Sequence, residues 1–372
     1  MNKDQLHRID LKKIFLNLES LAFVASQITV GFLNYLFQIY ASKTLPGIDF
    51  GLWSQWLAQF SVACFVGVWF QSLTSIGTAE SLFSISKSRI LFILTWLGFI
   101  LSLFFHHESA LYFFGWVGSL LNGFLFGVYL RKKNIRLLAF ATLAGTISKF
   151  GWVFLESSSF SFYHAQAAAS LIACSVFFIY PQPKRQIEPD APFRLSSKVA
   201  LASVSLAFFS SWVPQMDLLV TPKLLSQSDL GIFAKVALLN KGFFFIFQTL
   251  AQLLLAHQAQ PGSPQLTSRH LLFFGLFGVF SATCGLGLAS FLGWPPIWAA
   301  LSLLHMTSLC LLFLCLQSFS ARHKGEMALA LCLLSLLLAF TGTSFGFNLE
   351  SYWLFSILIE ITVVIGLVRR GF

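Results

Sequence analysis

Polar side chains recur in helical register inside the apolar stretches of this 372-residue chain. Residues at i, i+4, i+7 and i+11 share one face of an α-helix. Four apolar stretches carry polar or small residues at such spacings: Gln27, Gly31, Asn34 and Gln38; Thr142, Thr146, Lys149 and Glu156; Ser203, Ser210, Pro214 and Asp217; and Lys241, Gln248 and Gln252. An ionisable group in hydrocarbon is costly and usually faces a bundle interior or a water-filled cavity, so these stripes predict a polar pathway. Ordinary packing between helices is the alternative for the Ser and Thr residues.

Lys149 and Lys241 are the candidate anion-binding residues. A rise of about 1.5 Å per residue places both near the middle of their apolar stretches, one in each half of the chain. A cleft between the halves would present two ammonium groups to one anionic group, such as the pyrophosphate of a polyprenyl-linked sugar. The alternative is an internal ion pair, for example Lys241 with Glu360. Amides of the same stripes complete the predicted headgroup site: Asn34, Gln38, Gln248 and Gln252.

Asp217 and Lys235 are expected to form an ion pair, because each lies about one turn inside the same end of two consecutive helices. Such a pair would either act as an external latch or simply hold the hairpin together. Together with Glu360, these two residues are the predicted gate or coupling residues. In an ion-driven exporter, Asp217 or Glu360 would be the coupling carboxylate.

The sequence carries no recognisable catalytic motif. It contains no Gly-rich phosphate loop, no His-Glu-x-x-His zinc motif and no nucleophile elbow. Its six cysteines lie within apolar stretches, without metal-ligand or disulfide spacing. We therefore predict that the protein is not an enzyme and has no catalytic residue, metal site or cofactor. H+ and Na+ are the candidate coupling ions.

Membrane helices are the elements expected to position these residues. The chain is 56% hydrophobic and only 10% charged, against about 25% charged in soluble proteins. One crossing needs about 20 apolar residues. Twelve apolar stretches of suitable length occur, at about 21–41, 51–74, 90–105, 111–130, 137–155, 163–180, 197–219, 231–256, 271–292, 296–318, 328–345 and 351–368. The predicted fold class is an all-α polytopic membrane protein with about twelve transmembrane helices.

Basic residues predict the orientation, because short loops that are rich in Lys and Arg stay in the cytoplasm. With both termini cytoplasmic, nineteen of the 24 Lys and Arg residues fall in cytoplasmic segments. Only Lys43 and Lys223 fall on the opposite side, and three lysines lie within spans. Topology thus accounts for the net charge of +10, and we predict no nucleic-acid partner.

The chain is predicted to consist of two related halves. Residues 1–19 are a cytoplasmic amphipathic lead-in, 20–180 an N-terminal six-helix lobe, 181–196 a Pro-rich cytoplasmic linker and 197–372 a C-terminal six-helix lobe. A shift of 180 residues aligns Lys43, Leu45, Asp49, Gly51 and Leu52 with Lys223, Leu225, Asp229, Gly231 and Ile232. In each half the Asp is expected to cap a helix start. An even number of spans in each half makes the lobes parallel, around a central cleft.

Two junctions resemble those of polysaccharide flippases. The segment NYLFQIYASKTLPGIDFGLW at 34–53 resembles their first-to-second helix junction, and VPQMDLLVTPKLLSQSDLGIF at 213–233 is similar to their seventh-to-eighth junction. The resemblance implies a lipid-linked oligosaccharide flippase, of the O-antigen transporter kind. Such a protein would belong to the multidrug, oligosaccharidyl-lipid and polysaccharide exporter superfamily and have a MATE-like fold.

The predicted function is transport. We expect the protein to flip a polyprenyl-pyrophosphate oligosaccharide from the inner to the outer leaflet of a bacterial cytoplasmic membrane by alternating access, for cell-surface polysaccharide synthesis. Membrane lipids surround it, it is predicted to be a monomer, and glycan polymerase machinery is its candidate protein partner. The alternatives are an ion-coupled multidrug exporter and a membrane glycan polymerase or acyltransferase. Three intramembrane lysines against two deep carboxylates favour an anionic cargo.

Overall fold

The computed structural model describes residues 18–75, 85–105, 108–131, 134–155, 158, 160–180, 197–258, 268–321, 325–344 and 347–369. Throughout these residues the secondary structure is helical, with short turns and no strand. The predicted linker 181–196, Glu156 and all but the last two residues of the predicted lead-in 1–19 lie outside the described residues.

Fourteen α-helical segments follow one another along the described chain. They are α1 (Leu18–Thr44), α2 (Gly47–Ala63), α3 (Phe65–Ser75), α4 (Ile85–Phe105), α5 (Glu108–Arg131), α6 (Ile135–Leu155), α7 (Ser161–Ile179), α8 (Ser197–Trp212), α9 (Met216–Val220), α10 (Gln227–Gln258), α11 (Ser268–Phe291), α12 (Pro296–Ala321), α13 (Gly325–Ser344) and α14 (Leu349–Arg369).

Two of the twelve predicted spans are interrupted helices. A single turn residue, Cys64, separates α2 from α3. A 3-10 turn at Val213–Gln215 separates α8 from α9, and Pro214 in that turn has no N–H group with which to continue an α-helix. Counting each interrupted pair as one span gives twelve, so the all-α fold with twelve spans is confirmed.

Many of the helices expose apolar side chains, as a hydrocarbon environment permits. Seven helical stretches within the described residues are long and apolar enough to cross a membrane. On α11, for example, Leu272, Phe273 and Phe280 are each at least 60% exposed. The most enclosed of the seven is Pro296–Leu316 on α12, of which 83% is buried. Polar residues on α12 are therefore shielded by protein on nearly every side.

The first compact unit comprises Met1–Leu36 and Thr74–Pro192. Its close packing relies on small residues, since they let helix backbones approach each other. Gly145 on α6 faces α7 so closely that a Cβ atom there would lie 2.6 Å from the carbonyl oxygen of Ala169. Tyr129 on α5 donates a hydrogen bond to the carbonyl of Phe177, and the two rings stack.

The second compact unit comprises Phe37–Leu73 and Phe193–Phe372. It therefore holds the later part of α1, all of α2, α3 as far as Leu73, and every helix from α8 onward. Within it α12 packs against α8, α10, α11, α13 and α14. Large aromatic side chains fill the space around α12, including the fully buried Phe233 and Trp353.

The predicted repeat is visible in the helix boundaries. The structure starts α2 at Gly47 and α10 at Gln227, which are 180 residues apart. The predicted caps differ, however, because Asp49 and Asp229 lie in the first turns of these helices rather than before them. Ser226 caps α10 instead: its Oγ accepts a hydrogen bond from the Asp229 backbone N–H and donates one to the Asp229 carboxylate at 2.7 Å. The Ser226 hydroxyl thus satisfies one of the free N–H groups at the start of α10.

Candidate functional site

Asp217 is the centre of a buried hydrogen-bonded group in the second unit. It lies on α9, directly after the 3-10 turn that interrupts the span, and is 3% exposed. One carboxylate oxygen, Oδ1, lies 2.9 Å from His305 Nδ1 on α12 and accepts a hydrogen bond from Trp353 Nε1 on α14 at 3.2 Å. The other, Oδ2, accepts a hydrogen bond from Asn240 Nδ2 on α10 at 3.0 Å. Both oxygens are thus occupied, as suits an acceptor-only carboxylate.

Glu360 extends this group along α14. It is fully buried, and its Oε2 accepts a hydrogen bond from Ser308 Oγ on α12. Its Oε1 lies 3.4 Å from His305 Nε2, a charge-pair distance at which these two atoms do not form a hydrogen bond. Below, the carboxylate cluster means the two carboxylates and the side chains that touch them or Asn240: Asp217, Asn240, Ser302, His305, Ser308, Trp353 and Glu360.

His305 is the only basic side chain among the described contacts of the two carboxylates. Two ionised carboxylates in a dry interior repel each other and are costly without a compensating cation. A protonated His305 supplies one positive charge, with Nδ1–H directed at Asp217. The other ring nitrogen, Nε2, faces Glu360 Oε1 across 3.4 Å. The cluster therefore joins α9, α10, α12 and α14 through buried polar contacts.

The prediction that Asp217 pairs with Lys235 is wrong. Among the described residues, Asp217 contacts His305, Trp353 and Asn240 instead. Asp217 follows the 3-10 turn that interrupts the seventh span, and its side chain contacts α10, α12 and α14. Lys235 lies five residues before Asn240 on α10, so it faces a different side of that helix. The described ion pairs do not include it.

Lys241 lies on α10 with its ammonium group inside the protein. The residue is 3% exposed, and Nζ donates a hydrogen bond to Gln38 Oε1 on α1 at 3.0 Å. The alternative ion pair with Glu360 is absent from the described contacts, since that carboxylate faces Ser308 and His305. A cation is thereby held by a neutral amide rather than by a carboxylate.

Lys149 on α6 repeats this arrangement in the first unit. It is 8% exposed, and Nζ donates a hydrogen bond to Asn34 Oδ1 on α1 at 2.7 Å. Asn34 and Gln38 are four residues apart, so the two lysine acceptors lie one turn apart on the same face of α1. The polar stripe predicted on α1 therefore supplies an acceptor to each of the two predicted anion-binding lysines.

The hydroxyl residues of the predicted stripes make local bonds. Thr142 and Thr146 on α6 donate to carbonyls one turn earlier, and Ser203 and Ser210 on α8 do the same. Such bonds satisfy a hydroxyl inside its own helix, which favours the packing interpretation of these residues. Gln248 and Gln252 lie on α10, with side chains outside the described part of the chain.

The fold is similar to those of two solved transporter structures. One is described as the inward-facing conformation of a multidrug resistance MATE family transporter of the MOP superfamily; the TM-score is 0.55 at 9% identity, over 94% of this chain and 100% of that one. The other is the outward-facing conformation of such a transporter, with a TM-score of 0.54 at 12% identity, over 100% and 97%. This chain has the MATE fold. No protein-family model and no curated protein sequence matches it.

On this MATE fold, sequence reasoning missed five members of the carboxylate cluster: Asn240, Ser302, His305, Ser308 and Trp353. His305 could have been found, because it is an ionisable residue in the middle of the tenth apolar stretch. Asn240 directly precedes a lysine that was singled out, and Trp353 gave no signal among the ten tryptophans of the chain. Among the described residues, no group of three or more His, Cys, Asp and Glu has the geometry of a metal site.

Proposed function

We propose that this chain is a membrane transporter of the multidrug, oligosaccharidyl-lipid and polysaccharide exporter superfamily. Its cargo would be an oligosaccharide on polyprenyl pyrophosphate, moved from the inner to the outer leaflet by alternating access without covalent chemistry. The observation that carries the proposal is the setting of Lys241: a buried ammonium group whose hydrogen-bond acceptor is a neutral amide. The MATE fold of the chain supports transport as the general activity.

A buried ammonium group favours an anionic cargo. Removing a charge from water is costly unless another charge compensates it. The carboxylates that could do so, Asp217 and Glu360, are both engaged with His305. A phosphate oxygen that reaches Lys241 would replace the neutral Gln38 oxygen by an anionic acceptor, and charge-assisted hydrogen bonds are about twice as strong as neutral ones.

The proposed headgroup site has one cation from each of two helices. Lys149 and Lys241 would bind the pyrophosphate, while Asn34 and Gln38 hold the lysines until cargo arrives. Gln248 and Gln252, two and three turns further along α10, are proposed to bind sugar hydroxyls, because an amide both donates and accepts hydrogen bonds. The proposed setting remains a bacterial cytoplasmic membrane with both termini inside.

The carboxylate cluster is the proposed coupling site, with Asp217 and Glu360 as its carboxylates. Between them stands His305, whose nitrogens lie 2.9 Å and 3.4 Å from carboxylate oxygens. Hard cations such as Na+ prefer a shell of oxygen ligands, whereas an imidazole between two carboxylates binds and releases protons. This geometry favours H+ over Na+ as the coupling ion.

The second candidate function is proton-coupled export of amphipathic drugs. The two structural neighbours named above are multidrug resistance transporters by description. A cationic drug would need an unpaired carboxylate, however, and the charges of Asp217 and Glu360 are already shared with His305. The structure therefore favours the anionic cargo.

Flipping in proteoliposomes separates these functions. Purified protein would be given a fluorescent polyprenyl-pyrophosphate saccharide, and access of a membrane-impermeant quencher would report flipping. Lys149→Gln and Lys241→Gln should each slow flipping about 10- to 100-fold, since a hydrogen bond to a charged group contributes about 1.5–3 kcal/mol. Lys241→Arg should retain part of the rate. Lys43→Gln, which removes an exposed lysine, is the matched control.

Two results would contradict the proposal. One is wild-type flipping by a folded Lys149→Gln, Lys241→Gln double variant. The other is export of a cationic dye that depends on Asp217 and is unaffected by either lysine substitution, which would establish the drug exporter instead.

A further inference from the structure

Asn240 and Lys241 are neighbours on α10 that belong to two different hydrogen-bonded groups. Asn240 is part of the carboxylate cluster, and Lys241 is bonded to Gln38 on α1. Successive residues of an α-helix point about 100° apart. One short piece of α10 therefore contacts α9 and α12 through one residue, and α1 through the next.

The amide of Asn240 is held at both ends. It is 1% exposed, its Nδ2 donates to Asp217 Oδ2 at 3.0 Å, and its Oδ1 accepts from Ser302 Oγ at 3.2 Å. The same serine oxygen lies 3.3 Å from the carbonyl of Ala299, one turn earlier on α12. The Ser302 hydroxyl thus has two acceptors available for its single proton.

This arrangement has two complete hydrogen-bonding states. With Asp217 ionised, Nδ2 of Asn240 donates to the carboxylate and the Ser302 hydroxyl donates to Oδ1. A proton on Asp217 Oδ2 would instead face the amide N–H group, so two donors would oppose each other. Rotation of the amide restores every bond: Oδ1 then accepts from Asp217, Nδ2 donates to Ser302, and that hydroxyl donates to the Ala299 carbonyl.

We propose that Asn240 is a positioning residue that couples the protonation of Asp217 to the setting of α10, and thereby to the Lys241–Gln38 pair. The inference rests on the proposed function, because it describes regulation of the same cargo site. Asn240 does not touch the cargo, and it is hydrogen-bonded to Asp217 in both states. The hydrogen bonds between Asn240 and its partners on α9 and α12 exist in one of two states. Through one turn of α10, that state affects the Lys241–Gln38 pair.

Few other titratable groups face Asp217. His305 comes from α12, and Tyr352 and Glu360 come from α14. The acidic residues of α2 and α13, the other helices packed on α9, are Asp49 and Glu326, which are exposed at their helix starts. On α10, which also packs on α9, the basic residues nearest Asn240 are Lys235, which is half-buried, and Lys241, which is bonded to Gln38.

Hydrogen–deuterium exchange tests the coupling in purified full-length protein. The peptides followed would cover α1 around Gln38 and α10 around Lys241, over a pH series in which the protein stays folded, with correction for intrinsic exchange. The wild type should change its protection in both peptides about tenfold across the series, as an element with two hydrogen-bonded states does. In Asn240→Leu, which has similar volume and no amide, the change should fall below about twofold.

Matched variants distinguish coupling from general loosening. Asn122→Leu removes a partly buried asparagine of the first unit and should leave the pH response of both peptides unchanged. Ser302→Ala keeps the Asp217–Asn240 bond but removes the partner of the rotated amide, so it should also reduce the pH response. This second variant keeps the test decisive if Asn240→Leu does not fold. A wild-type pH response in Asn240→Leu and Ser302→Ala, or no response in the wild type, would overturn the inference.

A separate measurement tests the cargo site. Inorganic pyrophosphate should raise the melting temperature of the wild type and of Asn240→Leu, but not that of Lys241→Gln. No effect on the wild type would count against the proposed anionic cargo, while the exchange experiment would still decide the role of Asn240.

Discussion

Gly51 and Gly231, which are 180 residues apart, lie against each other where α2 and α10 begin. A Cβ atom on Gly51 would lie 3.0 Å from the backbone nitrogen of Gly231, and one on Gly231 would lie 2.2 Å from the carbonyl oxygen of Gly47. The two glycines are the pair that the sequence repeat aligns. Their contact leaves no room for a side chain at Gly231.

Gly231→Ala should therefore destabilise the protein. The new methyl group would meet backbone rather than a movable side chain, and overpacking of this kind costs about 1–3 kcal/mol. Gly275→Ala on α11 is the control, because nothing lies within 4 Å of its Cβ position. Thermal unfolding of purified variants would show the difference, and equal melting temperatures for the two would refute the close contact.

His305 should be strongly coupled to Glu360 in stability. Removing His305, as in His305→Leu, leaves two buried carboxylates without their cation, and breaking a buried pair in this way costs about 3–5 kcal/mol. Glu360→Gln added to His305→Leu removes one of those charges and should recover part of the loss. A double-mutant cycle measured by unfolding free energy checks this expectation. Purely additive effects would show that the 3.4 Å approach carries no energy.

Variants of Lys241 and Gln38 should affect thermal stability and transport differently. Gln38→Leu leaves the Lys241 ammonium without its acceptor and should cost about 1–3 kcal/mol. Adding Lys241→Met removes the stranded charge, so the double variant should regain thermal stability but still fail to flip a pyrophosphate-linked lipid. Flipping by the stable double variant would mean that Lys241 is structural.

Lys235 should tolerate neutralisation, in contrast to Asp217. Within the described contacts it forms no ion pair, so Lys235→Gln should change the unfolding free energy by no more than about 0.5 kcal/mol. Asp217→Asn should be far more damaging, because three donors converge on that carboxylate. If Lys235→Asp rescued the stability of Asp217→Lys, the result would support the predicted ion pair after all.

The orientation of the chain can be tested by labelling. In a cysteine-free background, single cysteines at Ser42 and Ser226 should react with an impermeant thiol reagent outside intact cells, and one at Gln186 should not. Both serines lie in junctions that the distribution of basic residues predicts to be external. External labelling at Gln186 would reverse the predicted topology.

Local sequence patterns predicted the helices and the depth of the charges. Length and apolarity gave twelve spans, and helical spacing put Asn34 and Gln38 on one face of α1, where the structure has them accepting from Lys149 and Lys241. The structure starts α2 and α10 at the 180-residue spacing of the sequence repeat, four residues before the predicted spans begin. These features depend on interactions between residues a few positions apart, and a single sequence displays them directly.

Only the tertiary structure decided which side chains are the hydrogen-bond partners of the buried charged residues. Asp217 was expected to meet Lys235, its neighbour in the hairpin, yet its partners are 23, 88 and 136 residues away on three other helices. A 3-10 turn at Val213–Gln215 interrupts the seventh span directly before α9, where Asp217 lies. How each helix rotates about its axis depends on the packing of all its neighbours. The sequence by itself therefore determined which segments form apolar helices, while only the packed helices determined which of their side chains touch.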